Sequence, residues 1–330
     1  MYLLRYISLK KIINILKVYL GYYASIVFKK VILLGSPFSL TTEPTNNCNL
    51  HCMECPTGNN TSKREKGNVD FELYQKIIDE LKDYILFQMI YFQGEPFQHP
   101  DIFKIINYAD QNKIYTSTST NGHFLSQENC HKIVQSGLKN ILVSVDGTAQ
   151  ETYEKYRVGG TLQKILKGIE TLVKTKQNLK SKFPTIHLQY LVFKYNQHQM
   201  SEIRKISKLL GVNKLDFKSA QIENEENYSL IPDIKRYSRY KYENGEYTIK
   251  NKMQNRCFRI WSTLVISWDG NIVPCCFDKD LDFIMGNVKQ TPILKVWKSE
   301  NFIRFRKSTL LNRKKTSICR NCTEGLRIKS

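Results

Sequence analysis

From about residue 37 the sequence alternates between two hydrophobic periods, and this constrains the fold more than any other feature. Short runs rich in β-branched and aromatic residues predict strands at Ser39–Glu43, Leu86–Phe92, Ile114–Ser119, Ile141–Val145, Ile186–Phe193 and Lys214–Lys218. Amphipathic stretches predict helices at Phe71–Tyr84, from an Asp101 cap to about Asn112, and over about 126–137, 161–176 and 198–210. Nearly every strand is followed by a helix. Regular β-α alternation argues for a parallel sheet, open or curled into a barrel.

In such sheets chemistry gathers where the strands end at their carboxyl side. The polar motifs of this chain fall on those ends. Cys48, Cys52 and Cys55 follow the first strand and Gln93-Gly94-Glu95-Pro96 the second. Thr120-Asn121-Gly122 follows the third and Asp146-Gly147 the fourth. Four such coincidences imply one site at the mouth of the sheet.

The cysteines narrow the chemistry. There are nine, three of them within the eight residues Cys48–Cys55, spaced x3 then x2. A structural zinc site wants four ligands. A disulfide framework wants an even count and a secreted context, and no stretch reads as a secretory signal. Thiols in a reducing compartment are metal-bound or free, which points to the cytoplasm. Three close thiolates then imply a metal or cluster site with one position open. Beyond Cys257 the pattern changes. Short strands at 262–267 and 271–275 meet through Asp269-Gly270-Asn271, a helix covers about 292–306, and a basic tail holds Cys319 and Cys322.

The Cys48-x3-Cys52-x2-Cys55 loop after a first strand, with Gly94-Glu95-Pro96 after the second, resembles the radical S-adenosylmethionine (SAM) superfamily across residues 38–220. The resemblance implies a [4Fe–4S] cluster on Cys48, Cys52 and Cys55, whose open iron site takes the amino and carboxylate groups of SAM. One electron then cleaves the sulfonium, and the 5′-deoxyadenosyl radical abstracts hydrogen from a substrate. It implies that Gly94, Glu95 and Pro96 face the methionine amino group, and that Ser144, Asp146 and Arg157 lie near the ribose and carboxylate of SAM. The plainer alternatives are a helix-capping Asp146 and a structural Arg157. Two positions depart from the family. The residue before the third cysteine, aromatic in the family, is Glu54, and Gln93 replaces the first glycine of the Gly-Gly-Glu form.

Cys257, Cys275 five positions after Gly270, and Cys319-x2-Cys322 resemble the SPASM extension, which carries auxiliary iron–sulfur clusters. The full pattern has seven cysteines and two clusters. Here five, counting Cys276, suffice for one second [4Fe–4S] cluster. Zinc on the same four thiolates is the structural alternative.

Together these imply an α/β fold, a partial (β/α)6 TIM-like barrel with a small C-terminal α+β iron–sulfur domain. The expected divisions are an N-terminal amphipathic helical segment (1–36), the radical SAM core (37–222), a linker (223–252) and the auxiliary domain (253–330). The expected activity is a net oxidation, mildly favouring a sugar, alcohol or other small molecule over a peptide. The partner it requires is a low-potential electron donor such as flavodoxin or ferredoxin. The rival is a non-catalytic Fe–S or zinc scaffold at a membrane surface.

Charge bears on partners. The net charge is +20, with six Lys/Arg and no acid in residues 1–35, and eleven Lys/Arg against two acids in 295–330. No nucleic-acid module is visible. In the first segment Lys10, Asn14, Lys17, Gly21 and Ser25 form one narrow polar stripe on an otherwise apolar helix. Such a helix either docks on the protein's own core, or makes peripheral contact with a membrane or lies against a partner.

Overall fold

The computed structural model describes residues 2–326. In chain order its helices are α1 (Leu9–Phe28), α2 (Phe71–Leu81), α3 (Ile102–Gln111), α4 (Gln127–Gln135), α5 (Gln150–Glu154), α6 (Leu162–Asn178), α7 (Met200–Leu209), α8 (Arg259–Ser262), α9 (Ile293–Trp297) and α10 (Glu300–Asn312). Its strands are β1 (Ser39–Thr42), β2 (Phe87–Ile90), β3 (Tyr115–Thr120), β4 (Asn140–Ser144), β5 (Thr185–Val192), β6 (Lys214–Ser219), β7 (Tyr240–Glu243), β8 (Glu246–Ile249), β9 (Thr263–Ile266), β10 (Asn271–Val273) and β11 (Gly286–Asn287). All six strands predicted between residues 37 and 222 are present, each within a few residues of its expected bounds.

The residues fall into two compact units. The first comprises the chain up to Asn47, Lys63–Ser117 and Met253–Gly325; the second is built mainly from Cys48–Ser62 and Thr118–Lys252.

In the first unit β1 runs parallel to β2, with Ser39 opposite Phe87, and β2 runs parallel to β3. On its other edge β1 pairs in parallel with β9, with Ser39 opposite Thr263. β10 and β11 then continue antiparallel. The C-terminal strands therefore extend the sheet that carries the first cysteine loop. Buried Leu40, Ile90 and Leu264 supply apolar core. One interior layer is polar and satisfied: the Gln88 amide donates to the Thr42 hydroxyl at 2.8 Å and accepts from Tyr74 at 3.0 Å. Two details differ from expectation. Asp101 precedes α3 without a side-chain capping bond. The helix expected over 292–306 is two helices, because Ser299 caps a new start by accepting from the Phe302 amide.

In the second unit β4, β5 and β6 are parallel, with Asn140 opposite Thr185 and His187 opposite Lys214. Along β5 burial alternates, burying Ile186, Leu188, Tyr190 and Val192. Residues 223–252, expected to be a linker, contain the β7–β8 hairpin and bury Ile231, Tyr237 and Tyr240. Their aperiodic, tyrosine-rich sequence hides this because the segment packs through scattered aromatic anchors.

Candidate active site

The loop Cys48–Cys55 is held from several sides within the second unit. Leu50 and Cys52 are buried in a cluster with Tyr156, Phe193, Ala220, Ile222, Ile231 and Tyr240, against which Cys48 and Cys55 also pack. The Cys55 amide donates to the Cys52 carbonyl at 3.1 Å, and the His51 amide to Val158 at 3.0 Å. A Cβ on Gly58 would come within 2.6 Å of the Cys52 amide nitrogen, so only glycine fits there. The His51 ring contacts the Gly58 carbonyl at 3.1 Å, a loop-bracing role.

Cationic and amide donors face these thiols. Arg157 Nε donates to Asp146 at 2.6 Å, and its terminal NH1 reaches Cys52 Sγ at 3.7 Å. Asp146 is fully buried, and its second oxygen accepts the Leu191 amide at 2.6 Å. It does not cap a helix: α5 begins at Gln150. Burial works against the charge on Arg157, but Asp146 and Cys52 outweigh it and hold the guanidinium above its ordinary range. Burial raises the Cys52 thiol, with Arg157 opposing. Asn121 lies 2.8 Å from Asn49 and 3.8 Å from Cys48 Sγ, while Thr120 accepts the Gly122 amide at 3.0 Å and so braces the turn. Ser144 is buried at the end of β4.

Glu54 is a residue whose role sequence reasoning misses. Its buried carboxylate accepts the Glu223 amide at 2.7 Å and the Asn227 side-chain amide. Where the family has an aromatic ring beside the third cysteine, this chain has an anionic clasp between the cysteine loop and residues 223–227. The spacing of 169 residues left no local signal.

In the first unit Gly94 adopts φ +75°, and a Cβ there would stand 2.5 Å from the Thr45 carbonyl and 2.7 Å from that of Asn47. The Glu95 amide donates to Asn47, the residue before Cys48, at 2.7 Å. The buried Glu95 carboxylate accepts the Phe97 amide at 3.2 Å, and Pro96 opens the short 3-10 turn that follows.

The same unit gathers the C-terminal cysteines. Cys275, Cys319 and Cys322 are buried; Cys257 and Cys276 are half-buried. Cys275 is raised by burial and by the neighbouring Cys276, Cys257 and Cys322. Burial pushes Cys257 up to about 11, with Arg313 opposing. Arg313 is buried and donates to Cys322 Sγ at 3.2 Å, as does the Glu324 amide at 3.4 Å. Arg259 donates to Cys276 Sγ at 3.5 Å and to Glu324 at 2.8 Å, so Cys276 has its own cationic partner. Among the described residues no three His, Cys, Asp or Glu side chains close on a single metal ion.

Both thiol groups fit iron–sulfur cubes. They are cysteine-rich, buried or half-buried, and faced by arginines that compensate thiolate charge. A family model described as the radical SAM superfamily matches residues 42–205, and one described as an iron–sulfur cluster-binding domain, SPASM, matches 257–323. The chain belongs to the radical SAM superfamily. This radical SAM enzyme binds a [4Fe–4S] cluster and SAM in its core domain, and iron–sulfur in its SPASM domain. It is 27% identical over 300 residues to the tungsten-containing aldehyde ferredoxin oxidoreductase cofactor-modifying protein of Pyrococcus furiosus, covering 81% of this chain and 82% of that one. It is 26% identical over 313 residues to the AdoMet-dependent heme synthase of Methanosarcina barkeri, covering 84% and 86%. Its fold matches Streptococcus suis SuiB bound to precursor peptide SuiA at a TM-score of 0.65 and 14% identity, covering 91% of this chain and 74% of that one. That likeness places the radical SAM enzyme among α/β, TIM-barrel-like folds with a SPASM domain.

Proposed function

We propose that this enzyme carries out a net oxidation of a small molecule or cofactor in a reducing compartment. The carrying observation is the donor set of the SPASM region. Four cysteines, Cys257, Cys275, Cys319 and Cys322, suffice to ligate every iron of one cube, leaving no open site for substrate. A closed cluster beside Arg313 suits electron transfer better than substrate binding. Bound at the two thiol groups, the clusters and SAM would supply the 5′-deoxyadenosyl radical that takes hydrogen from substrate and a route for the second electron.

The residues of the chain have separate tasks in this reading. Cys48, Cys52 and Cys55 hold the first cluster. Arg157, locked by Asp146, offsets thiolate charge. Gly94, Glu95 and Pro96 form the acceptor segment for the amino group of SAM, where the buried Glu95 carboxylate gives a charge-assisted bond. Ser144 and Arg157 serve the ribose and carboxylate end, and Asp146, with both oxygens already taken, acts there only by positioning Arg157. A reduced flavodoxin or ferredoxin would deliver the first electron. The substrate class rests on the two relatives that share more than four fifths of their length with this chain, whose names specify a cofactor and heme.

The test is release of 5′-deoxyadenosine by anaerobically reconstituted protein given SAM and a strong reductant. It would be run alone, with a small-metabolite fraction and with a peptide fraction of the native cell extract. Stimulation by the small-metabolite fraction is expected. Stimulation by the peptide fraction alone would overturn the substrate class, and no nucleoside from cluster-loaded protein would overturn the activity.

A further inference from the structure

Helix α1 is built inside out. Of the polar stripe expected along it, Asn14, Gly21 and Ser25 face the protein and are buried together with Lys11, Ser25 completely, while Lys10 and Lys17 are exposed. Each polar group is satisfied there. The Asn14 amide donates to the Ser36 carbonyl at 3.0 Å and accepts the Ser36 amide at 2.9 Å. Ser25 accepts the Ile32 amide at 2.9 Å, and the Lys11 ammonium donates to the Lys113 carbonyl at 2.6 Å. Tyr19 stacks on Phe258, and Tyr22 meets the same ring edge-to-face. The opposite face exposes Leu9 (72%), Leu16, Leu20 (63%), Tyr23, Val27 (73%) and Phe28. Twenty residues make a ridge about 30 Å long, well beyond the scattered exposed hydrophobics of an ordinary surface.

Charge identifies the occupant. The first acid in the chain is Glu43, while Lys17, Lys29 and Lys30 are exposed along and beyond the ridge. Beside it lies an open groove of about 520 Å³, lined by Leu9, Ile13, Lys17, Leu33, Leu34 and Lys298. Its exposed apolar wall of Leu9, Ile13 and Leu34, with ammonium groups beside it, matches an acyl chain beneath an anionic headgroup, while the buried Asn14 and Ser36 that also line it are bonded to each other. A second copy of this chain would bring a like-charged surface against it, whose flanking acid Asp83 is already paired with Lys10 at 2.6 Å. A protein partner would need hydrogen-bonding groups across its area, and this face offers little beyond lysines and tyrosine hydroxyls. The helix cannot cross the bilayer while its polar side is bonded to the protein body.

We infer that α1 is a monotopic anchor that seats this enzyme on an anionic lipid surface. The test is co-sedimentation of the full-length, cluster-loaded protein with phosphatidylcholine vesicles, with and without one quarter phosphatidylglycerol. Binding to the anionic vesicles, weakening as salt rises, is expected. Leu16→Glu/Leu20→Glu/Val27→Glu should bind more than about a hundredfold more weakly. Its thermal midpoint and iron content should be unchanged, because these side chains make the surface and not the core. Lys17→Gln/Lys29→Gln/Lys30→Gln should lose about a hundredfold on anionic vesicles, at about fivefold per lysine. Three results would overturn the inference. The wild type could stay in the supernatant with both vesicles. It could instead self-associate through a contact abolished by the glutamate variant. It could also resist alkaline carbonate extraction from native membranes, which would mark a spanning helix.

Discussion

Asp146 is the residue on which the positive side of the cysteine loop depends. It is completely buried, and its two oxygens are divided between Arg157 and the Leu191 amide. Asp146→Asn keeps the shape and an acceptor for Leu191 but leaves a buried guanidinium without its carboxylate. Removing one partner of a buried pair is far costlier than the pair is worth. A loss of about 3 kcal/mol in urea unfolding is expected, together with weaker SAM retention in equilibrium dialysis. Glu54 makes a different kind of contact. Glu54→Ala strands the Glu223 amide and the Asn227 side chain, for an expected cost of about 1–3 kcal/mol. Limited proteolysis should then cut within residues 223–230 before the rest of the chain. These two carboxylates show what a sequence discloses. Asp146 is legible because it ends a predicted strand in a chain of known periodicity. The clasp of Glu54 is not, because its partners lie far along a segment with no period, and only the packing of Tyr228, Ile231 and Tyr240 beside the loop brings them together.

At the scale of elements, the parallel strands β1–β3 and β4–β6 are legible because their buried positions carry aliphatic, aromatic or internally hydrogen-bonded side chains, as Ile186, Leu188, Tyr190 and Val192 do along β5. The boundaries that shift do so at caps, as where Ser299 divides α9 from α10. Helix α1 is the instructive case. Its narrow polar stripe is visible in sequence, but amphipathicity says only that two faces differ. The usual assignment, polar outward, fails because Asn14 and Ser25 find backbone partners in the returning segment Ile32–Ser36. The energetics of substitution should therefore be reversed. Asn14→Leu, which raises hydrophobicity, strands both backbone groups of Ser36 and should cost about 1–3 kcal/mol. Leu16→Asn, which lowers it, alters an exposed position and should stay within about 0.5 kcal/mol. Chemical denaturation of the two variants checks the inversion; equal effects would mean that α1 contributes nothing to the folded state.

For the whole molecule the decisive pairing is that of β9 with β1, Ser39 to Thr263 through Thr42 to Ile266. It ties the cysteine-bearing C-terminal segment to the strand that leads into the first cysteine loop. A sequence reading treats 253–330 as an appended domain, since parallel partners more than two hundred residues apart leave no local mark. The pairing predicts that the auxiliary-cluster region unfolds together with β1. Metal binding at a structural thiolate site contributes directly to folding, and here it would stabilise β9, β10 and, through them, β1. Cys322→Ser removes a buried thiol that receives hydrogen bonds from Arg313 and the Glu324 amide. Reconstituted wild type should hold about eight irons per chain and the variant about four. Calorimetry should show the main transition itself moving down. A new, separate transition at low temperature, with the main one unmoved, would mean instead that the C-terminal segment folds on its own and that β9 adds nothing to β1.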